Sequence, residues 1–374
     1  MDPLGRINEH DDLLPEAQRG RLLSRDGSLC LRWLGDFCRL TWCLIPKVFI
    51  NILFVFVPLG IMAGILAWDP RVVFIFNILA LLPLAKLLSS TLTVLSERLY
   101  PLLGIVLKAT IGNSVLLIVS IIALTTNHTQ IVQFSMLGSI LANTLLVVGF
   151  CFLIAGVRHR ESIINTTFAT TASSMMANSI CEQSIIKLSR GIAVILLILF
   201  VVYLNFRFNS HADLFEGRPI QGGDRREEVE QSSSLVAEGV VILLCMPLTA
   251  AAAFFLIGAS DSITESSHIS SRLLGLVLLP LVAEGPERVA AMTAAYQNHM
   301  DHALDFAIGR SMQIALFVTP LLVLLGWAMH INEPMTLHFQ PFETVALFLG
   351  VLMVTNLIGD GKSNYLEGAI CLAT

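Results

Sequence analysis

Ten stretches of this chain are long and apolar enough to cross a lipid bilayer, and no other feature restricts its fold as strongly. They lie near residues 49–68, 72–92, 102–125, 131–157, 164–181, 190–207, 236–259, 272–296, 303–329 and 342–359, with a shorter one at 361–374. A hydrocarbon core about 30 Å thick needs about 20 helical residues per crossing. With no water there to satisfy backbone groups, only helices and closed barrels span it. The runs are continuous, not alternating, which argues against a transmembrane barrel. The expectation is an all-α integral membrane protein of about ten to eleven transmembrane helices. The fifth run, TTFATTASSMMANSIC, is rich in small polar residues and needs shielding by protein. The last is too short to span, so the final helix reads as incomplete.

Composition agrees: 55% hydrophobic and 14% charged residues, with mean hydropathy +0.75, lie outside the range of soluble domains. The seven cysteines show no CxxC or CxxH spacing and read as packing residues. Arg6, Arg19, Arg21, Arg25, Arg32, Arg39 and Lys47 precede the first run, Arg158 and Arg160 follow the fourth, and Arg207, Arg218, Arg225 and Arg226 follow the sixth. The connections TTNHTQ and HINEPMTLHFQPF hold no Lys or Arg. By the positive-inside rule the N-terminus and the even-numbered exits are cytosolic. Residues 1–45 read as a cytosolic tail, because the Arg-rich stretch runs too long for a signal peptide. The polar segment 208–235 reads as a cytosolic linker between two transmembrane halves, 46–207 and 236–374. No nucleotide-binding Gly-rich loop, HExxH or catalytic triad is present, so the chain is not expected to be an enzyme or to use a cofactor. Nothing points to nucleic acid.

Each half carries an interrupted apolar run, ATIGNSVLLIVS in the first and LLPLVAEGPERVAAMTAA in the second. Each is followed by a second glycine-bearing run, LGSILANTLLVVGF and AIGRSMQIALFVTPLLVLLGW. This is the pattern of transporters built from inverted repeats, whose sites lie at discontinuous helices near the bilayer midplane. The blocks FVPLGIMAG, GSILANTLLVVG, LSRGIAVILL, SDSIT, LVLLPLVAE, MQIALFVTPLLVLLGW and DGKSNYLEGA, in this order from about residue 50 onward, resemble the vacuolar calcium/proton exchangers of the sodium/calcium exchanger superfamily, especially fungal members. The resemblance implies two inverted repeats with broken helices meeting at the midplane, in a multi-pass protein of the vacuolar membrane. It also implies exchange of cytosolic Ca2+ for vacuolar H+, and a last helix that continues beyond LEGAICLAT.

Ca2+ prefers six or more oxygen ligands, and a carboxylate that either binds Ca2+ or takes a proton couples the two ions. The family pattern places one such glutamate in each break, in motifs resembling Gly-Asn-Ala-(Val/Thr)-Glu-Leu and Gly-Asn-Ala-Ala-Glu-His. The first motif maps onto Gly112 to Leu117 and puts Leu116 where its glutamate is expected. The second maps onto Ala283 to Arg288 and keeps Glu287, with Glu284 in the Asn position and Arg288 in the His position. Pro286 suits the start of a restarted helix, with Glu287 in its first turn. Glu287 is then either an ion or proton site or the fixed partner of Arg288 or another base, and Glu284 a displaced second carboxylate. Lys108 and Arg310 also replace uncharged residues of the family pattern, and its Glu-Glu pair maps onto Thr93 and Val94. Lys108 and Arg310 read either as snorkelling from near helix starts or as facing the cavity. Asn113, Ser139, Asn143, Ser311 and Gln313 match polar pathway positions, or serve helix-to-helix hydrogen bonding. Asp261 and Glu265 read as interfacial. Two functions follow: a secondary transporter carrying Ca2+ or an altered cation, or a non-transporting paralogue acting as a regulatory or partner subunit.

Overall fold

The computed structural model describes residues 52–98, 112–159, 162–163, 185–206, 235–267, 270–331, 335–359 and 362–373. The tail 1–45, the expected run at 164–181, Lys108 and all of the linker but Leu235 lie outside the described residues.

Helix α1 (Phe56–Ile65) is tied to α2 (Pro70–Arg98) by Asn77, whose amide donates to Val73 O at 2.7 Å and Gly60 O at 3.1 Å. After the first interruption come α3 (Ser114–Thr125) and α4 (Thr129–Leu141), and α4 passes through a wide π-helical turn, Ala142–Val147, into α5 (Val148–His159). Helices α6 (Ile185–Asn205) and α7 (Leu235–Ser267) follow. A short α8 (Ser271–Leu273) leads through a second wide turn, Leu274–Leu278, to α9 (Leu279–Ala283), and the chain restarts as α10 (Gly285–Tyr296). Helix α11 (Met300–Gln313) continues through a third wide turn, Ile314–Val318, into α12 (Thr319–Ala328). Helix α13 (Pro341–Ile358) opens on a capping box between Gln340 and Glu343. Helix α14 (Tyr365–Ala373) ends the described chain, after the strand Lys362–Ser363 pairs antiparallel with Ser162–Ile163.

Six helices among the described residues are long and apolar enough to cross a membrane, and Phe56–Ile65, Ser114–Thr125 and Ser271–Ala283 are shorter apolar helices. Met300–Ala328 and Thr129–Arg158 bury 61% and 56% of their apolar stretches, against 28% for Ile186–Asn205 and Pro341–Ile358. The former are therefore central and the latter peripheral, with Val201, Phe342 and Leu349 exposed where lipid would lie. Three buried hydroxyls are satisfied locally: Ser135, Thr144 and Thr249 each donate to the carbonyl four residues back. Cys151, Cys245 and Cys371 are buried and free.

The two halves repeat in register. The same number of residues separates Ser114 from Gly285, Thr125 from Tyr296 and Thr129 from Met300, the bounds of α3, α10 and the starts of α4 and α11. The turn after each broken helix uses an asparagine in the left-handed region, Asn127 at φ 62° and Asn298 at φ 63°.

Glycines let the central backbones touch. A Cβ added at Gly138 would collide with the Leu276 carbonyl, and one at Gly275 would lie 2.6 Å from Phe134 Cβ and 2.8 Å from Ile131 O. The crossing of α4 and the second wide turn thus has no room for a side chain. Gly138→Val is expected to abolish the monodisperse peak in detergent size-exclusion chromatography. Gly191→Ala, which meets nothing within 4 Å, is expected to leave that peak intact.

Candidate functional site

The second interruption costs the helix a single residue of regular geometry. Asn113 (φ −96°, ψ 15°) precedes α3, and Glu284 (φ −112°, ψ 5°) stands between α9 and α10. In the second break Gly285 and Pro286 open the new helix and Glu287 lies in its first turn, where the positive end of the helix dipole favours a carboxylate. In the first break the equivalent position is Leu116, 1% exposed within the apolar core.

The first polar cluster joins both breaks. Arg310, in the last turn of α11, pairs with Glu287 through Nη2 and Oε2. Its Nη1 donates to Gln313 Oε1 at 3.2 Å, and the same oxygen accepts from Asn113 Nδ2 at 3.3 Å. Ser89 on α2 donates to the other Glu287 oxygen at 3.3 Å. The guanidinium rests against the first break, since a Cβ at Gly112 would lie 2.9 Å from Arg310 Nη1. The Gly-Asn pair therefore provides both the space and a hydrogen bond that hold this arginine's neighbourhood.

The second cluster is more deeply buried. Arg288 Nη2 and Glu284 Oε2 form an ion pair at 2.8 Å, one turn apart, with side chains 6% and 4% exposed. Asn143, in the wide turn after α4, receives a bond from Arg288 Nε at 3.0 Å on its oxygen and donates its amide to Glu284 Oε2 at 3.1 Å. Glu284 Oε1 has no hydrogen-bond partner among the described residues. The halves therefore interlock reciprocally: Gln313 of the second serves the break residue Asn113, and Asn143 of the first serves the break residue Glu284.

The sequence-derived candidates thus divide. Glu284, Glu287, Asn113, Asn143, Gln313, Arg288 and Arg310 fall into these two clusters. Arg310 is not near a helix start and does not snorkel. It is 12% exposed and ion-paired, because α11 begins at Met300 and carries residue 310 into the interior. Arg288 pairs with Glu284, so the fixed base opposite Glu287 is Arg310. Ser311 donates to Ala307 O at 3.1 Å and Ile140 O at 3.4 Å, a helix-to-helix contact. Ser139 is buried with no hydrogen-bond partner among the described residues. Lys108 and the side chains of Thr93 and Val94 lie outside the described residues. Ser89 was not anticipated, and the only signal for it is the Ser89-Ser90 pair inside an apolar run. Among the described residues no group of three or more His, Cys, Asp or Glu is placed to hold a metal ion.

A family model described as "Sodium/calcium exchanger protein" matches residues 71–209 and 238–374. A vacuolar calcium ion transporter of Schizosaccharomyces pombe is 38% identical over 353 residues, covering 89% of this chain and 84% of that protein. A Ca(2+)/H(+) antiporter of Aphanothece halophytica is 33% identical over 347 residues, covering 86% of this chain and 92% of that protein. The solved structure of native YfkE superposes with a TM-score of 0.73 at 28% identity, covering 87% of this chain and 96% of the other.

Proposed function

We infer the function from one premise: this chain belongs to the sodium/calcium exchanger protein family. The names of the relatives support placing it in the Ca2+/H+ antiport class, as a multi-pass protein of the vacuolar membrane. The Lys and Arg distribution supports a cytosolic N-terminus and a cytosolic linker 208–235. The finer reading is that the native site is closed to divalent cations by the protein's own arginines, so that Ca2+ transport is weak or absent. The scaffold then persists as a regulatory or partner subunit.

One observation carries that reading: both carboxylates at the second break are ion-paired, Glu284 to Arg288 and Glu287 to Arg310. Two carboxylates and two guanidinium groups cancel, and Leu116 adds no charge. A divalent ion entering this cluster would displace a guanidinium from a buried pair, leaving that cation without a partner in a low-dielectric interior. A working exchanger in which the arginines swing away is the second reading, favoured by the unpartnered Glu284 Oε1.

Equilibrium binding of radiolabelled Ca2+ to purified protein separates the two. The closed site gives no saturable binding below about 1 mM, the weak end of protein Ca2+ sites. Arg310→Ser gains saturable binding. Tighter binding by the native protein, lost in Glu284→Gln, overturns the closed reading in favour of the second.

A further inference from the structure

We propose that His128 is a proton-binding latch at the end of the first broken helix, clamping the turn between α3 and α4 onto α7 through Asp261 when the imidazole is charged. This turn contains no Lys or Arg and lies on the lumenal side under the orientation proposed above, which is the side an acidic compartment would present.

The local geometry provides for both ring protons. His128 follows Asn127, whose left-handed φ of 62° folds the chain back, and it caps the start of α4. Its Nε2 lies 3.0 and 3.2 Å from the two Asp261 oxygens, and its Nδ1 lies 2.9 Å from Thr126 Oγ1. The Thr126 hydroxyl is 3.0 Å from Ile122 O and 3.2 Å from Ala123 O, so its own hydrogen has a carbonyl acceptor. A doubly protonated ring therefore donates to the carboxylate from Nε2 and to Thr126 from Nδ1, while Thr126 donates to the helix end. A neutral ring keeps one N–H. With that proton on Nε2, Nδ1 accepts the Thr126 hydrogen and the hydroxyl leaves its carbonyl. Charging the ring thus adds a bond and converts the Asp261 contact into a charge-assisted pair.

The clamp acts between elements that matter to the site. Helix α3 begins just after Asn113, whose amide reaches Gln313, so fixing its far end constrains the helix that follows the first break. Asp261 is 71% exposed and His128 20% exposed, so protons reach the pair without crossing the core. The other ionisable groups near the ends of the elements packed around the turn are Glu265 on α7, Asp69 and Arg71 at the start of α2, Arg272 on α8, and His330 after α12. Asp69 O and Oδ1 accept from backbone amides at the α2 start, and Arg272 donates to Gln340 at 3.0 Å. At the matching turn of the second half, His299 faces His302 with ring centroids 6.2 Å apart.

Imidazole side chains change charge between about pH 5 and 8. The latch is therefore complete in acid and weakens as pH rises. Hydrogen–deuterium exchange of the full chain in nanodiscs tests it, with rates normalised to α6 to remove the intrinsic pH dependence. Amides 122–131 of the native protein are expected to be about threefold better protected at about pH 5.5 than at about pH 7.5. That gain should vanish in His128→Gln and in Asp261→Asn. A native protein with no acid-dependent protection, or a His128→Gln variant that retains it, overturns the proposal. The readout involves no Ca2+, so its failure is distinguishable from failure of the transport reading. The same measurement in sealed vesicles, acidified on one side at a time, separates an error in membrane orientation from an error in the latch.

Discussion

Leu116→Glu combined with Arg310→Ser is expected to give proton-gradient-driven Ca2+ uptake at least about tenfold above that of the native chain. The reason is electrostatic. A guanidinium about 4 Å from a divalent cation repels it by roughly 8 kcal/mol at an effective dielectric constant of about 20, and a new carboxylate at the same distance attracts it equally. The double substitution leaves three carboxylates against Arg288 alone, a net charge matching one Ca2+. It also places a carboxylate at the position in α3 that corresponds to Glu287 in α10. Leu116→Glu alone is expected to do much less, because the buried carboxylate would compete with Glu287 for Arg310. Uptake by vesicles of the four genotypes, native, each single and the double, measures this directly. A double variant no better than the native chain would show that charge at the two breaks does not limit transport.

Arg288→Met is expected to be strongly destabilising. Glu284 would keep only the Asn143 amide at 3.1 Å in a site where its side chain is 4% exposed. Removing one partner of a buried pair costs about 3–5 kcal/mol, because the other charge loses its compensation. Thermal unfolding in detergent should show a large fall in melting temperature. Glu284→Leu together with Arg288→Met should recover most of it, since an apolar pair of similar volume removes the stranded charge. A double variant as unstable as the single would mean that Glu284 or Arg288 has a further essential contact beyond the pair.

The helical membrane class was legible because the bilayer demands long apolar runs, and few sequences satisfy that demand by chance. The breaks were legible for the complementary reason. Gly112-Asn113 and Glu284-Gly285-Pro286 interrupt runs that otherwise have no cause to contain them. The placement of Arg310 was not legible. The apolar run begins at 303, whereas the helix begins earlier, at Met300, with Asp301 and Asp305 still on it, so counting from the run set the arginine too close to the membrane edge. Which base faces which carboxylate depends on helix neighbours far apart in sequence. Arg310 meets Glu287 from the next helix, and Ser89 reaches the same carboxylate from α2. The three wide turns were also invisible, because an inserted π-helical turn needs no particular residue, and ANTLLV, LGLVL and IALFV share no pattern of residue types. One of those turns nevertheless carries Asn143 to Glu284.

The closed site is tested most directly by proton-gradient-driven uptake of radiolabelled Ca2+ into sealed vesicles containing the native protein, beside empty vesicles and vesicles containing Glu287→Gln. Native and empty vesicles are expected to take up the same amount. Native uptake above the empty vesicles, abolished by Glu287→Gln, would contradict it and establish a working exchanger.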